Sequence, residues 1–172
     1  MRKINIVLYE PEIAANTAAI MRTAAATNAK LHIIEPTGFI IDHRTFGRSS
    51  AGNWENCEYT MYDNWNDFKL KNPNIILFCM TRYGKKPLSD FNFTVINKDV
   101  FVMFGKESTG IPKNILQENI ETCFRIPMVA SARSLNIANT VGIAIYEILR
   151  QWNYLDLSKV EVQKGEDYLD NK

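Results

Sequence analysis

Apolar residues recur every four positions near the carboxyl end of the chain, which predicts a helix with one buried face. The stripe consists of Ile137, Val141, Ile145, Ile148, Leu149 and Trp152. Asn136 stands directly before this stripe. Its side-chain oxygen can accept a backbone N–H of the first helical turn, so we expect Asn136 to be the N-cap.

The segment before this helix has neither a helical nor a strand-like period. It places Arg133, Ser134 and Asn136 at the mouth of the helix. Free N–H groups and the helix dipole favour anionic or electron-rich ligands at such a position. A core helix needs only the apolar stripe, so an ordinary capped helix and a ligand site are both open interpretations of this stretch alone.

Short apolar runs predict six strands along the rest of the chain. They cover residues 4–9, 31–36, 58–63, 74–81, 100–105 and 123–128. Asn16 and Thr17 open a helix of small residues after the first run, and Asn28 is placed like its left-handed C-terminal residue. Trp65 and Phe68 lie on a short helix after the third run.

Strands that alternate with helices over this length predict an α/β fold with a mostly parallel sheet and helices on both faces. The length of 172 residues suits one domain, since a domain usually takes about 100–200 residues. We expect this domain to span residues 1–155. The remaining residues, 156–172, are expected to form a charged tail.

Composition narrows the class of protein but does not identify a function. Apolar residues make up 46% of the chain and charged residues 23%, as in ordinary globular proteins. The net charge is only +1, so an RNA-binding role would require the basic residues to be localised. The three cysteines lack metal-ligand spacing and predict reduced thiols. No signal peptide or membrane span is visible, and we expect a cytoplasmic protein.

Polar residues follow several predicted strands at the edge where open α/β sheets bind ligands. Met80 and Thr81 follow one strand, and the stretch FGKESTGIP follows the next. Gly105 allows a sharp turn or the close approach of a ligand, although a glycine after a strand is also commonplace in proteins without a site.

Several common catalytic and cofactor motifs are missing from the sequence. It contains no G-x-G-x-x-G, no P-loop and no G-x-S-x-G. His32 lies inside a predicted strand and is interpreted as a packing residue. His43 lacks the neighbouring Cys, Asp or Glu residues of a zinc site, so we expect no metal.

Three segments together resemble the SPOUT RNA methyltransferases. The first is IVLYEPEIAANTAAIMRTAAATNAKLHIIEP, which carries Asn16 and Arg22 in an N-x-x-x-x-x-R frame. The second is FVMFGKESTGIP, and the third is RIPMVASARSLNIANTVGIAIYEILRQ. The chain is most similar to the small tRNA 2′-O-methyltransferases of the wobble nucleotide, cytidine or uridine 34, over nearly its whole length to about Tyr154.

This resemblance implies a deep trefoil knot in the carboxyl-terminal half of the chain, a topology that general folding rules would reject. It also implies S-adenosylmethionine as cofactor, bound largely through backbone and apolar contacts without a metal. The positions carried over for the cofactor are Met80, Gly105, Ile126, Ser134, Leu135 and Asn139. The family works as a homodimer, with the last helix and the helix that carries Asn16 and Arg22 at the interface.

Arg22, Ser134 and Asn136 match the catalytic positions of the family. Arginine stays charged and is a poor base, so the resemblance gives Arg22 the role of holding a substrate phosphate or the 2′-oxygen. Ser134 and Asn136 would orient the ribose by hydrogen bonds. A salt bridge at the dimer interface is the structural alternative for Arg22.

The tRNA partner is expected to dock on a localised basic surface. Its candidate residues are Arg44, Arg48, Lys85, Lys86, Lys106, Arg125 and Arg133. The chain departs from the family where RTFGRSSAGNWEN replaces a more basic segment, and where Ala18 and Ala19 replace the usual Gly-Asn. Two alternatives stay open: the same chemistry on another tRNA or rRNA nucleotide, and a non-catalytic RNA-binding knot protein.

Overall fold

The computed structural model describes residues 2–42 and 56–170. Six parallel strands form a single sheet in the order β3-β2-β1-β5-β4-β6. Their bounds are β1 Ile4–Tyr9, β2 Lys30–Ile34, β3 Tyr59–Tyr62, β4 Ile76–Met80, β5 Val100–Phe104 and β6 Cys123–Phe124. The predicted parallel α/β sheet is therefore confirmed. All carboxyl ends of the strands lie along one edge.

In the described ranges, four α-helices cover both faces of this sheet. Their bounds are α1 Ala14–Thr27, α2 Trp65–Lys71, α3 Lys113–Glu118 and α4 Ile137–Gln151. Helices α1 and α4 pack against one face, and α2 and α3 pack against the other. Short 3₁₀ turns lie at Leu88–Asp90, Phe93–Val95, Ile120–Thr122 and Glu166–Leu169. Throughout the two described ranges, no helix has both the length and the apolar character needed to cross a membrane.

Alternation along the strands divides the core into two layers. In β5, Val100, Val102 and Phe104 point to the α1–α4 side, whereas Phe101 and Met103 point to the α2–α3 side. All five are buried. A strand buried on both faces reads as a continuous apolar run, which explains why β5 is the easiest strand to recognise in the sequence.

Helix α4 begins at Ile137, directly after the predicted N-cap, and its predicted apolar stripe forms much of the larger core layer. Asn136 is its N-cap and accepts hydrogen bonds from the backbone N–H groups of Ala138 at 2.9 Å and Asn139 at 3.3 Å. Asn28 ends α1 in the left-handed conformation, with φ 53°, as predicted.

Three elements differ from the expectation. Helix α1 begins at Ala14, two residues before the predicted start at Asn16, and no side chain caps it. The last strand covers only Cys123–Phe124, because the chain then leaves the sheet edge. Helix α3 has no counterpart in the prediction, since its six residues are too few to establish a period.

The segment after β4, residues 81–87, is interlocked with residues 123–125 at the end of β6. The Thr81 N–H donates to the carbonyl of Phe124, and the Arg125 N–H donates to the carbonyl of Lys86. A Cβ added at Gly84 would lie 2.3 Å from the carbonyl carbon of Phe124. Only glycine therefore allows these two backbones to approach so closely.

His32 is a packing residue, as predicted, and is 2% exposed. Its Nδ1 lies 2.7 Å from the Tyr62 hydroxyl, and its Nε2 lies 3.0 Å from Oδ1 of Asn5. The Tyr62 hydroxyl also accepts a hydrogen bond from the Asn72 amide at 3.2 Å. A neutral imidazole with its proton on Nε2 fits these contacts, because Nε2–H then donates to Asn5 and Nδ1 accepts from the Tyr62 hydroxyl. Burial is the main reason that the pKa of His32 is lowered to about 4.

We predict that acid destabilises the protein partly through His32. A histidine in the unfolded chain has a pKa near 6.5, whereas the pKa of His32 in the folded chain is about 4. Between these two pH values the unfolded chain is protonated at His32 and the folded chain is not, so protonation favours unfolding. As the pH falls through this window, protonation of His32 in the unfolded chain should therefore lower the free energy of unfolding by about 2–3 kcal/mol. Urea denaturation of the wild type and of His32→Gln at pH 7 and pH 4.5 measures the difference. Equal losses in the two proteins would contradict the prediction.

Candidate functional site

A cavity of about 600 Å³ opens at the carboxyl ends of β4, β5 and β6. The loops after these strands form its walls, and the start of α4 and the start of α1 close it. This is the edge at which parallel α/β sheets bind ligands. The site is therefore built from loops that a buried sheet holds in place.

Five of the six residues predicted to bind the cofactor line this cavity. They are Met80, Gly105, Ile126, Ser134 and Leu135. Asn139, the sixth, lies in the first turn of α4, and only its backbone N–H contact with the Asn136 side chain connects it to the site. Met80 and Ile126 are half-buried and Leu135 is exposed, so the cavity offers apolar surface to a ligand.

Gly105 shapes the loop between β5 and α3. A Cβ at this position would lie 2.1 Å from the carbonyl carbon of Gly110, because the loop folds back on itself. An isolated antiparallel β-bridge between Lys106 and Gly110 closes this loop. Gly110 has a φ of 74°. A side chain at Gly105 would force the loop open, and Gly110 occupies a conformation that favours glycine.

A hydrogen-bonded polar chain crosses the floor of the site. The Asn136 amide donates to Oδ1 of Asn16 at 2.9 Å, and the Asn16 amide donates to Glu107 at 3.0 Å. The other carboxylate oxygen of Glu107 accepts the backbone N–H of Glu12 at 2.9 Å. We call Asn136, Asn16 and Glu107 the polar triad. It connects the start of α4, helix α1 and the loop after β5.

Two further contacts fasten the loop after β1 to the loop after β5. The Glu12 carboxylate accepts hydrogen bonds from the backbone N–H of Ser108 at 2.8 Å and from its hydroxyl at 2.7 Å. These hydrogen bonds hold the pKa of the Glu12 carboxyl below its usual value. Lys106 forms an ion pair with Glu10, and this contact raises the pKa of the lysine.

The predicted catalytic residues are only partly brought together. Ser134 and Asn136 line the cavity. Arg22 does not line it, because it is an exposed residue farther along α1. Within residues 2–42 and 56–170, the structure gives Arg22 no hydrogen bond or ion pair. The alternative role, a salt bridge at a dimer interface, would involve a second chain and stays a prediction.

The basic residues predicted to bind RNA lie in different places. Arg133 and Arg125 line the cavity, and Lys106 lies on the wall formed by the loop after β5. Lys85 lies at a second cavity on the other side of that loop. Lys86 projects over the ring of Phe91, 4.1 Å from its centre.

Other predictions rest on residues that the structure does not describe. Arg44 and Arg48 lie outside the described ranges, so their predicted RNA contacts stay predictions. His43 lies outside these ranges too. In the described ranges, no group of three or more His, Cys, Asp or Glu side chains is arranged to hold a metal ion.

Sequence reasoning did not assign roles to Asn16 and Glu107 in the site. Asn16 was visible only as the first residue of the N-x-x-x-x-x-R frame, and Glu107 only as a charged residue after a strand. Their contact joins residues 91 positions apart in the chain. No local pattern reports such a contact, because it depends on the parallel pairing of β1 with β5.

The chain matches the SpoU rRNA Methylase family over residues 3–146. A relative from Bacillus subtilis (strain 168), named for tRNA (cytidine(34)-2′-O)-methyltransferase activity, is 41% identical over 154 residues. The match covers 90% of this chain and 96% of the relative.

Two solved structures share the fold. An RNA methyltransferase from Bacillus anthracis is 42% identical with a TM-score of 0.86, and the match covers 92% of this chain and 99% of the other. A structure described as giving insight into the 2-OH methylation of C/U34 on tRNA is 31% identical, with a TM-score of 0.81 and coverage of 88% and 97%. The match to the family profile, these likenesses and the cavity at the strand ends agree with the resemblance seen in the sequence: the chain belongs to the SpoU rRNA Methylase family of SPOUT RNA methyltransferases.

Proposed function

We propose that this protein transfers a methyl group from S-adenosylmethionine to the ribose 2′-hydroxyl of cytidine or uridine 34, the wobble nucleotide of tRNA. One observation carries the proposal: the cavity lined by the predicted cofactor residues opens directly onto the polar triad. The names of the B. subtilis relative and of the C/U34 structure support this choice of nucleotide.

The cavity fits the proposed cofactor. Met80, Ile126 and Leu135 give it apolar surface for an adenine ring, and the close turn at Gly105 leaves backbone groups exposed to a ligand. Ser134 adds a hydroxyl at the same wall. When bound, the cofactor supplies an activated methyl group on a positively charged sulfur.

The side chains of this chain would then orient the acceptor. Ser134 and Asn136 lie at the cavity where they can hydrogen-bond a ribose, and holding the hydroxyl in line accounts for much of the rate in such a transfer. The polar triad fixes the Asn136 amide, because one end of it caps α4 and the other donates to Asn16. Arg22 would bind a phosphate or the 2′-oxygen through its permanent charge.

A homodimer would bring Arg22 to a site that it does not reach in its own chain. We assign the interface to the outer surfaces of α1 and α4. Ile143 and Tyr146 of α4 are each 49% exposed, and Ile13 beside α1 is 47% exposed. Apolar side chains at this exposure suit burial against a second copy. In that arrangement Arg22 of each chain serves the cavity of the other.

We also propose that the carboxyl-terminal half forms the deep trefoil knot implied by the family resemblance. The interlocked segments 81–87 and 123–125, and the glycine that permits their approach, support this topology.

The domain is proposed to end at residue 155. Residues 158–170 are exposed to solvent, as suits a charged tail. A tRNA substrate favours the cytoplasm as the location.

A second candidate is the same reaction on a different tRNA nucleotide or on rRNA. The description of the matched family as an rRNA methylase favours keeping this alternative. The non-catalytic alternative has less support, because Ser134 and Asn136 both line the cavity.

The first test is the reaction itself. We expect purified protein, incubated with unmodified bulk tRNA and methyl-labelled S-adenosylmethionine, to form 2′-O-methylcytidine or 2′-O-methyluridine at nucleotide 34. Nucleoside mass spectrometry with nuclease mapping identifies the product and its position. Methylation of rRNA or of another nucleotide would select the second candidate. Cofactor binding by calorimetry without transfer to any RNA would contradict the proposal.

We predict that Arg22→Ala abolishes methylation and leaves the Kd for S-adenosylmethionine nearly unchanged, because Arg22 lies outside the cavity of its own chain. Lys69→Ala on α2 is the control, since it removes a positive charge from the opposite face of the sheet. Full activity of Arg22→Ala would refute its role.

Mixed dimers test which subunit supplies Arg22. Arg22→Ala and Ser134→Ala chains, inactive alone, should regain about a quarter of wild-type activity when co-expressed in equal amounts. Half of the dimers then combine the two variants, and each mixed dimer has one intact site of two. No recovery would show that both residues must come from the same chain.

Removal of the Glu107 carboxylate should loosen Asn16 and, through it, Asn136. We expect Glu107→Ala to lower kcat by about tenfold to a hundredfold, with a smaller change in the Kd for the cofactor, because misplacement of an orienting group is costly. Ser108→Ala is the matched control, since it removes a hydrogen bond to Glu12 and leaves the polar triad intact. Equal kcat values for the two variants would contradict the assignment.

A further inference from the structure

A second cavity, of about 730 Å³, lies on the other side of the loop between β5 and α3. We call it the lysine cavity. Residues 106 and 109–111 line both this cavity and the candidate cofactor cavity, so the loop is a shared wall. The remaining walls come from the end of β1, from Lys85 and from helix α3. Apart from the RNA contacts predicted for Lys85 and Lys106, no role assigned above uses this space.

Positive charge is concentrated at the lysine cavity. Lys85, Lys106 and Lys113 all line it, although the whole chain carries a net charge of only +1. Lys106 is neutralised by its ion pair with Glu10. Lys85 and Lys113 are exposed and have no ion pair with any residue that the structure describes. Two unpaired ammonium groups beside one opening suit the phosphates of a polynucleotide.

The inner surface is largely apolar and suits a flat ring. Ile111 and Cys123 are buried there, Leu116 is half-buried, and Ile120 is 56% exposed. Tyr83 is 76% exposed and lines both cavities. An exposed tyrosine between two openings is a platform on which an unstacked base can lie.

A few polar groups interrupt this apolar surface. The Tyr9 hydroxyl stays protonated, because burial and the neighbouring Glu10 carboxylate raise its pKa to about 12. Glu10 has a φ of 47°, and its carboxylate is held by Lys106. Thr81 and Thr109 supply hydroxyl groups. Such groups can hydrogen-bond the edge of a base without adding a net charge.

We propose that the lysine cavity binds the base of a second, unstacked nucleotide of the RNA, close in sequence to the nucleotide that is methylated. This inference rests on the proposed function. Lys85 and Lys113 contact the adjoining phosphates, and Tyr83 stacks on a base between the two cavities. The shared loop then places the two nucleotides relative to each other, so the RNA is recognised by two splayed bases rather than by one.

The test combines a protein variant with altered RNA. Of the two cavities, Leu116 lines only the lysine cavity, and Leu116→Trp places a larger ring in the space proposed for the base. The substrates are an anticodon stem-loop and a series of the same stem-loop in which one single-stranded base at a time is removed. Leu116→Trp should raise the KM for the intact stem-loop about tenfold, the loss expected when stacking of one base is removed. Its Kd for S-adenosylmethionine should stay within about twofold of wild type, because cofactor binding does not use this cavity.

One abasic position should raise the KM of the wild type by a similar factor and leave that of Leu116→Trp unchanged. This non-additivity identifies the base that occupies the cavity. Additive effects at every abasic position, or a normal KM for Leu116→Trp, would overturn the proposal. A wild-type protein that binds cofactor but methylates no stem-loop would instead refute the proposed function.

A charge variant tests the same proposal independently, so that the test does not depend on correct folding of Leu116→Trp. Lys113→Glu should raise the KM about tenfold and lower the salt dependence of RNA binding by about one phosphate contact. Lys98→Glu is the matched control, since it makes the same change just before β5, at the opposite edge of the sheet. An equal rise in KM for both variants would show that only overall charge matters and would overturn the assignment.

Discussion

The hydrogen bond between Asn136 and Asn16 joins residues 120 positions apart, and the candidate site depends on it. It fastens the start of α4 to α1. The NH₂ group of the same Asn16 amide donates a hydrogen bond to the carboxylate of Glu107, in the loop after β5. A single neutral hydrogen bond contributes only about 1 kcal/mol to stability. Its importance is geometric, because the start of α4, helix α1 and the loop after β5 share one fixed point.

Burial of the sheet makes this fixed point possible. Strand β5 is buried on both faces and lies between β1 and β4, so the loops after these strands start from a rigid base. The interlocked segments 81–87 and 123–125 add backbone hydrogen bonds between the chain after β4 and the end of β6. A site on such loops can keep its polar groups oriented before any ligand arrives, which lowers the cost of positioning a reacting hydroxyl.

The loop between β5 and α3 connects the two cavities described in this structure. Its fold depends on Gly105 and Gly110, since a side chain at the first would collide with backbone and the second has a positive φ. Glu107 faces one cavity through the polar triad, whereas Lys106 contributes to both and pairs with Glu10. One short segment therefore links the proposed sites of the cofactor, the acceptor and the second nucleotide.

The sequence by itself determined the parallel α/β class, helix α4 with its Asn136 cap, and the packing role of His32, because each follows from a local pattern or from burial. Family resemblance supplied the predicted cofactor residues, five of which line one cavity. Tertiary structure alone decided that Asn16 and Glu107 join Asn136, that Arg22 lies outside the cavity of its own chain, and that a second cavity lies behind the shared loop. The reason is physical: the polar triad joins residues about 90–120 positions apart, and side-chain period carries no information about which distant segments meet.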